Sequence, residues 1–287
     1  MRPFFISVPA FEQLPAHRLA AYAWGDAQAP CIMCVHGLTR NARDFDRLAE
    51  RLAGRFHVIA ISMAGRGESD ALPRPELYQS PTYLYAIAQA LAQLGISQLH
   101  GVGTSMGGIL GMMLAATRPG LLRSLVLNDV GAMIPAASLQ RIALYAGAGP
   151  FEFTSRAQAE EKLRQNCASF GITLEEDWQH LFLHSIVRSA AGGFRLAYDP
   201  AIMQAFSAPQ ALAQDVQLWP LWEACKALPV LLVRGAQSDL FLKDTAQQML
   251  VMHERATLLE IAGAGHAPAL MRSDEIEPIA KWLEAQA

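Results

Sequence analysis

The chain carries, in four separate stretches, the residue types that acyl transfer requires. The first is Gly103-Thr104-Ser105-Met106-Gly107-Gly108, a G-x-S-x-G pattern between an apolar strand-like run (Leu99 to Val102) and an apolar helix-like run (Ile109 to Ala116). Strand, tight turn and helix are the context in which that pattern has chemical meaning. A serine on so sharp a turn takes up strained backbone, and small residues two positions either side leave it room to point outward. The helix behind it begins with free N–H groups and a positive dipole end, both favourable to an anion forming beside Ser105. A serine hydroxyl is a weak nucleophile and needs a base to take its proton and an acid to orient that base. Asp239, in Arg234-Gly235-Ala236-Gln237-Ser238-Asp239, and His266, in Gly263-Ala264-Gly265-His266-Ala267-Pro268, are residues of those types. The fourth stretch, His36-Gly37-Leu38-Thr39, can supply a backbone N–H.

Such groups must be carried by elements that bring them to one place. The sequence alternates short apolar strands with amphipathic helices: strands at Phe4 to Val8, His17 to Trp24, Cys31 to Val35, Phe56 to Ile61, Leu99 to Val102 and Leu122 to Leu127. Helices are expected from Asn41, as a cap, through Leu52, from about Thr82 to Leu94, and after Ser105 until Pro119-Gly120 end the pattern. From about Ala132 to Trp219 the reading changes to a helical stretch with no buried strand. The alternation then resumes with strand Pro229 to Arg234, helix Lys243 to His253, strand Thr257 to Ile261 and helix Ile276 to Ala285. This predicts an α/β core of mostly parallel strands covered on both faces, divided as 1–131 and 221–287, with a helical insertion at 132–220. In an open parallel sheet the loops past the carboxyl ends of the strands form the site, and all four stretches hold that address.

Ser, Asp and His in that chain order, the serine turn, the Gly-flanked late histidine and the His-Gly loop together resemble the α/β-hydrolase superfamily. The resemblance covers nearly everything outside the insertion, which holds the position of that family's cap, after the sixth strand. It implies a cofactor-independent serine hydrolase, without a metal, acting on a small-molecule ester or related acyl bond. Ser105 would be the nucleophile, His266 the base and then the acid, and Asp239 the residue that orients His266. The N–H groups of Leu38 and Met106 would form the oxyanion hole. Asp129, at the end of the preceding strand, is a rival for the acid; Asp239 is preferred because Ser238-Asp239-Leu240 is the commoner pattern in the family. C–C hydrolases of meta-cleavage products and lactonases share this triad, and a weakly catalytic ligand receptor on the same scaffold is an alternative of another class. The family commonly has Asp where this chain has Ser62, at the start of Ser62-Met63-Ala64-Gly65-Arg66-Gly67-Glu68-Ser69.

The insertion is expected to set specificity. Trp178, Arg188, Arg195 and Trp219 there, with Arg40 beside the His-Gly loop, are candidate substrate contacts. His180-x-x-x-His184 has the spacing of a metal pair but no third ligand is evident from sequence. His17, His57, His100 and His253 read as surface or strand-edge residues. Cys31 and Cys34 have C-x-x-C spacing inside a buried strand, where they point to opposite faces and serve the core. With 52% hydrophobic and 17% charged residues and a formal charge of -3, the composition is globular and offers no basic footprint for nucleic acid or an anionic membrane. No run approaches the roughly 18 apolar residues of a spanning helix, and no signal peptide is recognisable, so a cytoplasmic protein is expected.

Overall fold

The computed structural model describes residues 1–147, 151–207 and 212–287. Six strands come first in the chain: β1 (Arg2–Val8), β2 (His17–Trp24), β3 (Cys31–Val35), β4 (His57–Ile61), β5 (Leu99–Thr104) and β6 (Leu122–Asn128). With Val230–Gly235 and Ala256–Ile261 they form an eight-stranded sheet in the order β1-β2-β4-β3-β5-β6, then those two. Only β2 breaks the parallel run, pairing antiparallel with both β1 and β4. The residues explain the arrangement. β3 (CIMCV) and β4 (HVIAI) are continuous apolar runs buried almost throughout, as strands covered on both faces must be. β1 at the edge alternates exposed and buried side chains over its second half.

Alternation along each central strand divides the core in two. Met33, Val35, Ile59, Ile61, Leu125 and Leu127 point to one side, and Ile32, Cys34, Val58, Ala60, Val126 and Val233 to the other. Helices α1 (Asp46–Leu52) and the terminal Ser273–Glu284 cover the second side through Leu48, Leu52, Ile279 and Leu283. Helices α2 (Ser80–Leu94) and α3 (Met106–Thr117) cover the first through Ile87, Leu91, Leu110 and Leu114.

After β6 the chain leaves the sheet and returns to it at Val230. The intervening segment holds α4 (Ala136–Gly147), α5 (Arg156–Asn166) and α6 (Glu175–Ser185), and its buried Leu139, Ile142, Leu163, Leu181 and Phe182 join the first side of the core. It also contains strands that were not expected. Met133–Ile134 pairs with Val216–Gln217, closing the two ends of the segment, and Glu152–Phe153, Phe194–Leu196 and Ile186–Arg188 make a small antiparallel sheet. Pieces of two or three residues are too short to show a period, so the helical reading overlooked them. The parts of the predicted insertion at 148–150 and 208–211 lie outside the described residues. His17, His100 and His253 correct another expectation: all three are buried, with ring nitrogens 2.9 Å from the Pro15 carbonyl, 2.8 Å from Ser124 Oγ and 2.9 Å from the Cys225 carbonyl. No helix of the described residues is long and apolar enough to cross a membrane.

Candidate active site

Ser105 stands between β5 and α3 with φ 51° and ψ −112°, the strained turn that the motif foretold. The flanking glycines are required by contact. A Cβ on Gly103 would lie 2.3 Å from the Gly107 carbonyl carbon, and one on Gly107 would lie 1.9 Å from the Val35 carbonyl oxygen. The turn is tied to the neighbouring strand by the Ser105 N–H, which donates to the Asn128 carbonyl at 2.9 Å. Ser105, Leu38 and His266 line one cavity of about 60 Å³ together with Arg40, Ile142 and Leu181.

The acid beside His266 is Asp129, and the expectation of Asp239 is corrected. His266 Nδ1 and Asp129 Oδ2 are 2.8 Å apart, with Asp129 wholly buried at the end of β6 and turned inward by φ 55°. Asp129 Oδ2 also accepts from Ser238 Oγ at 2.6 Å, and Oδ1 accepts from the Gly235 N–H at 2.7 Å. Every one of those donors is satisfied by a charged acceptor, so the carboxylate is fixed from three directions. Asp239 instead lies on the surface. Its oxygens pair with Arg141 of α4 at 2.5 and 2.6 Å, the side chains 49% and 39% exposed. It takes a place between core and insertion, and the residue before it, Ser238, turns in to hold Asp129. Sequence order could not separate two acids that each follow one of two neighbouring strands; the inward one is Asp129, with its left-handed backbone.

His36 and the Ser62 turn shape the oxyanion loop. His36 Nε2 accepts from the Met63 N–H at 2.9 Å, which leaves Nδ1 to donate to the Gly37 carbonyl at 2.7 Å. Burial first, then the neighbouring Arg66 charge, push its pKa down to about 3, so the ring is neutral. Ser62, in place of the family's common Asp, accepts from the Ala42 N–H at 3.1 Å and so anchors the start of the short helix that leads into α1.

The histidine loop is clasped by the insertion. Ser169 Oγ donates to the His266 carbonyl at 2.5 Å, the Gly265 N–H to the Ser169 carbonyl at 2.6 Å, and Asn128 Nδ2 to the Pro268 carbonyl at 3.0 Å. Sequence reasoning missed Ser169, Ser238 and Asn128; a lone short polar residue in a loop or at a strand end carries no motif.

Of the candidate substrate contacts, Arg40 alone lines the Ser105 cavity as described. It is buried, and Asp44 meets its Nε and Nη2 at 2.9 and 2.6 Å while Ser185 Oγ of α6 accepts from Nη2 at 2.9 Å. Its charge is thus already matched. Trp178 stacks on Phe182 under the Arg164 guanidinium, Arg188 lies exposed over the Phe194 ring, and Trp219 packs against the core at the head of a short helix. Arg195 lines a separate cavity beside Gly65, Gly67 and Tyr198. The His180–His184 pair meets a third group that the sequence did not reveal. Asp46 joins them with ligand atoms all within 4.8 Å, but the Arg43 guanidinium holds that space, donating to Asp46 at 2.9 Å and lying 3.2 Å from His184 Nδ1.

Residues 30–271 match the family model described as alpha/beta hydrolase fold. The chain is 36% identical over 267 residues to a 3-hydroxybutyrate-oligomer hydrolase of Cupriavidus necator, covering 91% of this chain and 90% of that protein. It is 27% identical to a 2-(acetamidomethylene)succinate hydrolase of Mesorhizobium japonicum, over 83% of this chain and 81% of that one. The solved structure of an alpha/beta hydrolase from Novosphingobium aromaticivorans superposes with a TM-score of 0.85 at 34% identity, covering 100% of this chain and 98% of that chain.

Proposed function

The chain belongs to the α/β-hydrolase family and is a hydrolase, and within that family we propose that it is a serine esterase acting on short oligoesters of a hydroxy acid. The observation that carries this reading is the 2.8 Å contact between His266 Nδ1 and buried Asp129, with Ser105 on its strained turn in the same cavity as His266. Asp129 holds the tautomer in which Nε2 is free to take a proton, and stabilises the imidazolium once it forms. Ser105 Oγ attacks the acyl carbon as its proton passes to His266 Nε2. The Leu38 and Met106 N–H groups hold the oxyanion. His266 returns the proton to the leaving alcohol as the ester bond breaks, and water, deprotonated by His266, then releases the acid and regenerates Ser105.

The substrate class is supported by likeness to the Cupriavidus necator hydrolase and by the cavity lining. Ile142, Phe170, Leu181 and Met271 make an apolar wall suited to a short branched acyl unit. The insertion lines this cavity through Ile142, Phe170 and Leu181, and so contributes to the shape of the site.

The test is labelling by a fluorophosphonate probe, read by intact mass and peptide mapping, on the wild type and Ser105→Ala, followed by hydrolysis of 3-hydroxybutyrate dimer and trimer. Stoichiometric label at Ser105 and hydrolysis of both oligomers are expected. Folded wild-type protein that takes no label sinks the reading; label without oligomer hydrolysis sinks the substrate class alone.

A further inference from the structure

A second buried cation, Arg66, bonds to the oxyanion loop that also carries Arg40, and among the described residues no ion pair accompanies it. Arg66 sits in the Gly65-Arg66-Gly67 turn, whose glycines take φ 77° and 58° so that the side chain between them turns inward. The cap holds that turn from outside: the Gly67 N–H donates to the Ala197 carbonyl at 2.7 Å and the Asp199 N–H to the Gly65 carbonyl at 2.8 Å. The Arg66 side chain is wholly buried. Nε donates to the Leu38 carbonyl at 2.8 Å, Nη1 to the Ala64 carbonyl at 2.8 Å and to the Tyr83 hydroxyl at 2.6 Å, and Nη2 lies 3.7 Å from Met106 Sδ. The rings of Tyr83 and Tyr78 flank it at 5.0 and 5.7 Å. Among the described residues no carboxylate comes within 4.0 Å of it.

This is a costly arrangement for a merely structural residue. A guanidinium cannot shed its proton inside a protein, and burying a cation among neutral acceptors is strongly unfavourable unless something compensates. The two residues it touches through Leu38 O and Met106 Sδ are the two whose N–H groups are assigned to the oxyanion hole. In a water-excluded site a fixed positive charge acts most strongly on charge that develops nearby, and it needs no reorganisation at the moment of reaction. The same charge contributes, after burial, to keeping His36 neutral on the adjoining loop.

We propose that Arg66 is a positioning residue for ester hydrolysis, pinning Leu38 from its carbonyl side and placing an uncompensated positive charge behind the oxyanion hole. This rests on the serine-hydrolase reading, so its partners in catalysis are Ser105, His266 and the two backbone N–H groups named above.

The experiment compares wild type, Arg66→Gln and Arg66→Lys on p-nitrophenyl butyrate and with butylboronic acid as inhibitor. In the boronate adduct the Ser105 oxygen is bonded to boron, boron carries the negative charge and His266 keeps the proton, so the adduct reports on the hole without turnover. In Arg66→Gln, kcat falls by about 10²-fold, the scale of losing one oxyanion donor, while KM stays within about threefold. Boronate affinity falls in step with kcat, and Arg66→Lys, which keeps the charge and loses the fork, recovers part of both. Folded Arg66→Gln with kcat and boronate affinity unchanged, or Arg66→Lys as poor as Arg66→Gln, overturns the proposal. Should Arg66→Gln not fold, Tyr83→Phe frees one side of the guanidinium. It should lower kcat and boronate affinity together by about threefold to tenfold, the worth of one hydrogen bond, and no change in either overturns the proposal equally. A wild type that is neither labelled by fluorophosphonate nor inhibited by the boronate refutes the serine-hydrolase reading itself, a result distinct from all of these.

Discussion

Replacing Asp129 by Asn separates the two candidate acids by many orders more than experimental error. The carboxylate of Asp129 accepts at Oδ1 from the Gly235 N–H and at Oδ2 from both Ser238 Oγ and His266 Nδ1. An Asn can keep its oxygen on Gly235 only by presenting its NH₂ to His266 Nδ1. Two donors then face each other, and the imidazole relieves the clash by carrying its proton on Nε2, where it can no longer act as base for Ser105. The loss expected for that wrong tautomer is about 10⁴-fold in kcat. Asp239→Asn removes one partner of an exposed pair whose side chains are 49% and 39% accessible, and exposed pairs contribute about 0.2–1 kcal/mol. Its kcat/KM should stay within about fivefold of wild type. The assay is steady-state hydrolysis of p-nitrophenyl butyrate by both variants at one protein concentration, with circular dichroism to establish that each is folded. A folded Asp239→Asn that is dead beside an active Asp129→Asn would refute the reasoning, because His266 Nδ1 is paired with Asp129 while Asp239 is paired with Arg141.

Three further outcomes follow from named contacts. Ser238→Ala removes one of three hydrogen bonds to the Asp129 carboxylate, and should lower kcat by about 10-fold with KM little changed, read in the same assay. His36, buried and neutral with its pKa pushed down to about 3 against an ordinary 6.5, leaves the unfolded chain binding a proton that the folded chain does not. Its contribution is therefore intact above pH 6.5 and lost as the pH falls toward 3; from pH 7.5 to pH 5 this amounts to about 2 kcal/mol. Urea unfolding at those two pH values should show that difference, and His36→Asn should reduce it; an unchanged pH dependence in the variant refutes the assignment. Leu181→Ala opens the apolar wall of the Ser105 cavity, and should shift the preference among p-nitrophenyl esters toward longer acyl chains by about 10-fold, measured as a ratio of kcat/KM values.

Much of this molecule was legible because its signals are local. The strand that precedes Ser105, the glycines around it and the helix that follows occupy one stretch, and steric exclusion at Gly103 and Gly107 leaves them little alternative. The central strands were likewise readable, since apolar runs such as Cys31–Val35 and His57–Ile61, buried on both faces, fit a parallel interior. What escaped depended on residues far apart in sequence. Asp129 and Asp239 each follow a strand, and those strands are neighbours: the Asp129 N–H donates to the Val233 carbonyl at 2.8 Å. Which acid reaches His266 is settled by the left-handed turn at Asp129 and by Arg141, 98 residues from Asp239, which draws the rival outward. Neither is written in a motif. Arg66 makes the same point from the other direction. Within Gly65-Arg66-Gly67 the sequence singles out no role for it, because a lone arginine between glycines has no local reason to be buried. It faces inward since Ala197 and Asp199 of the cap bind the backbone on either side of it. The insertion thus does more than cover a pocket: it clasps the Ser62–Ser69 turn through Ala197 and Asp199 and the His266 loop through Ser169. A chain cut down to its sheet and flanking helices would keep the Ser105 turn and lose the contacts that hold Arg66 and His266.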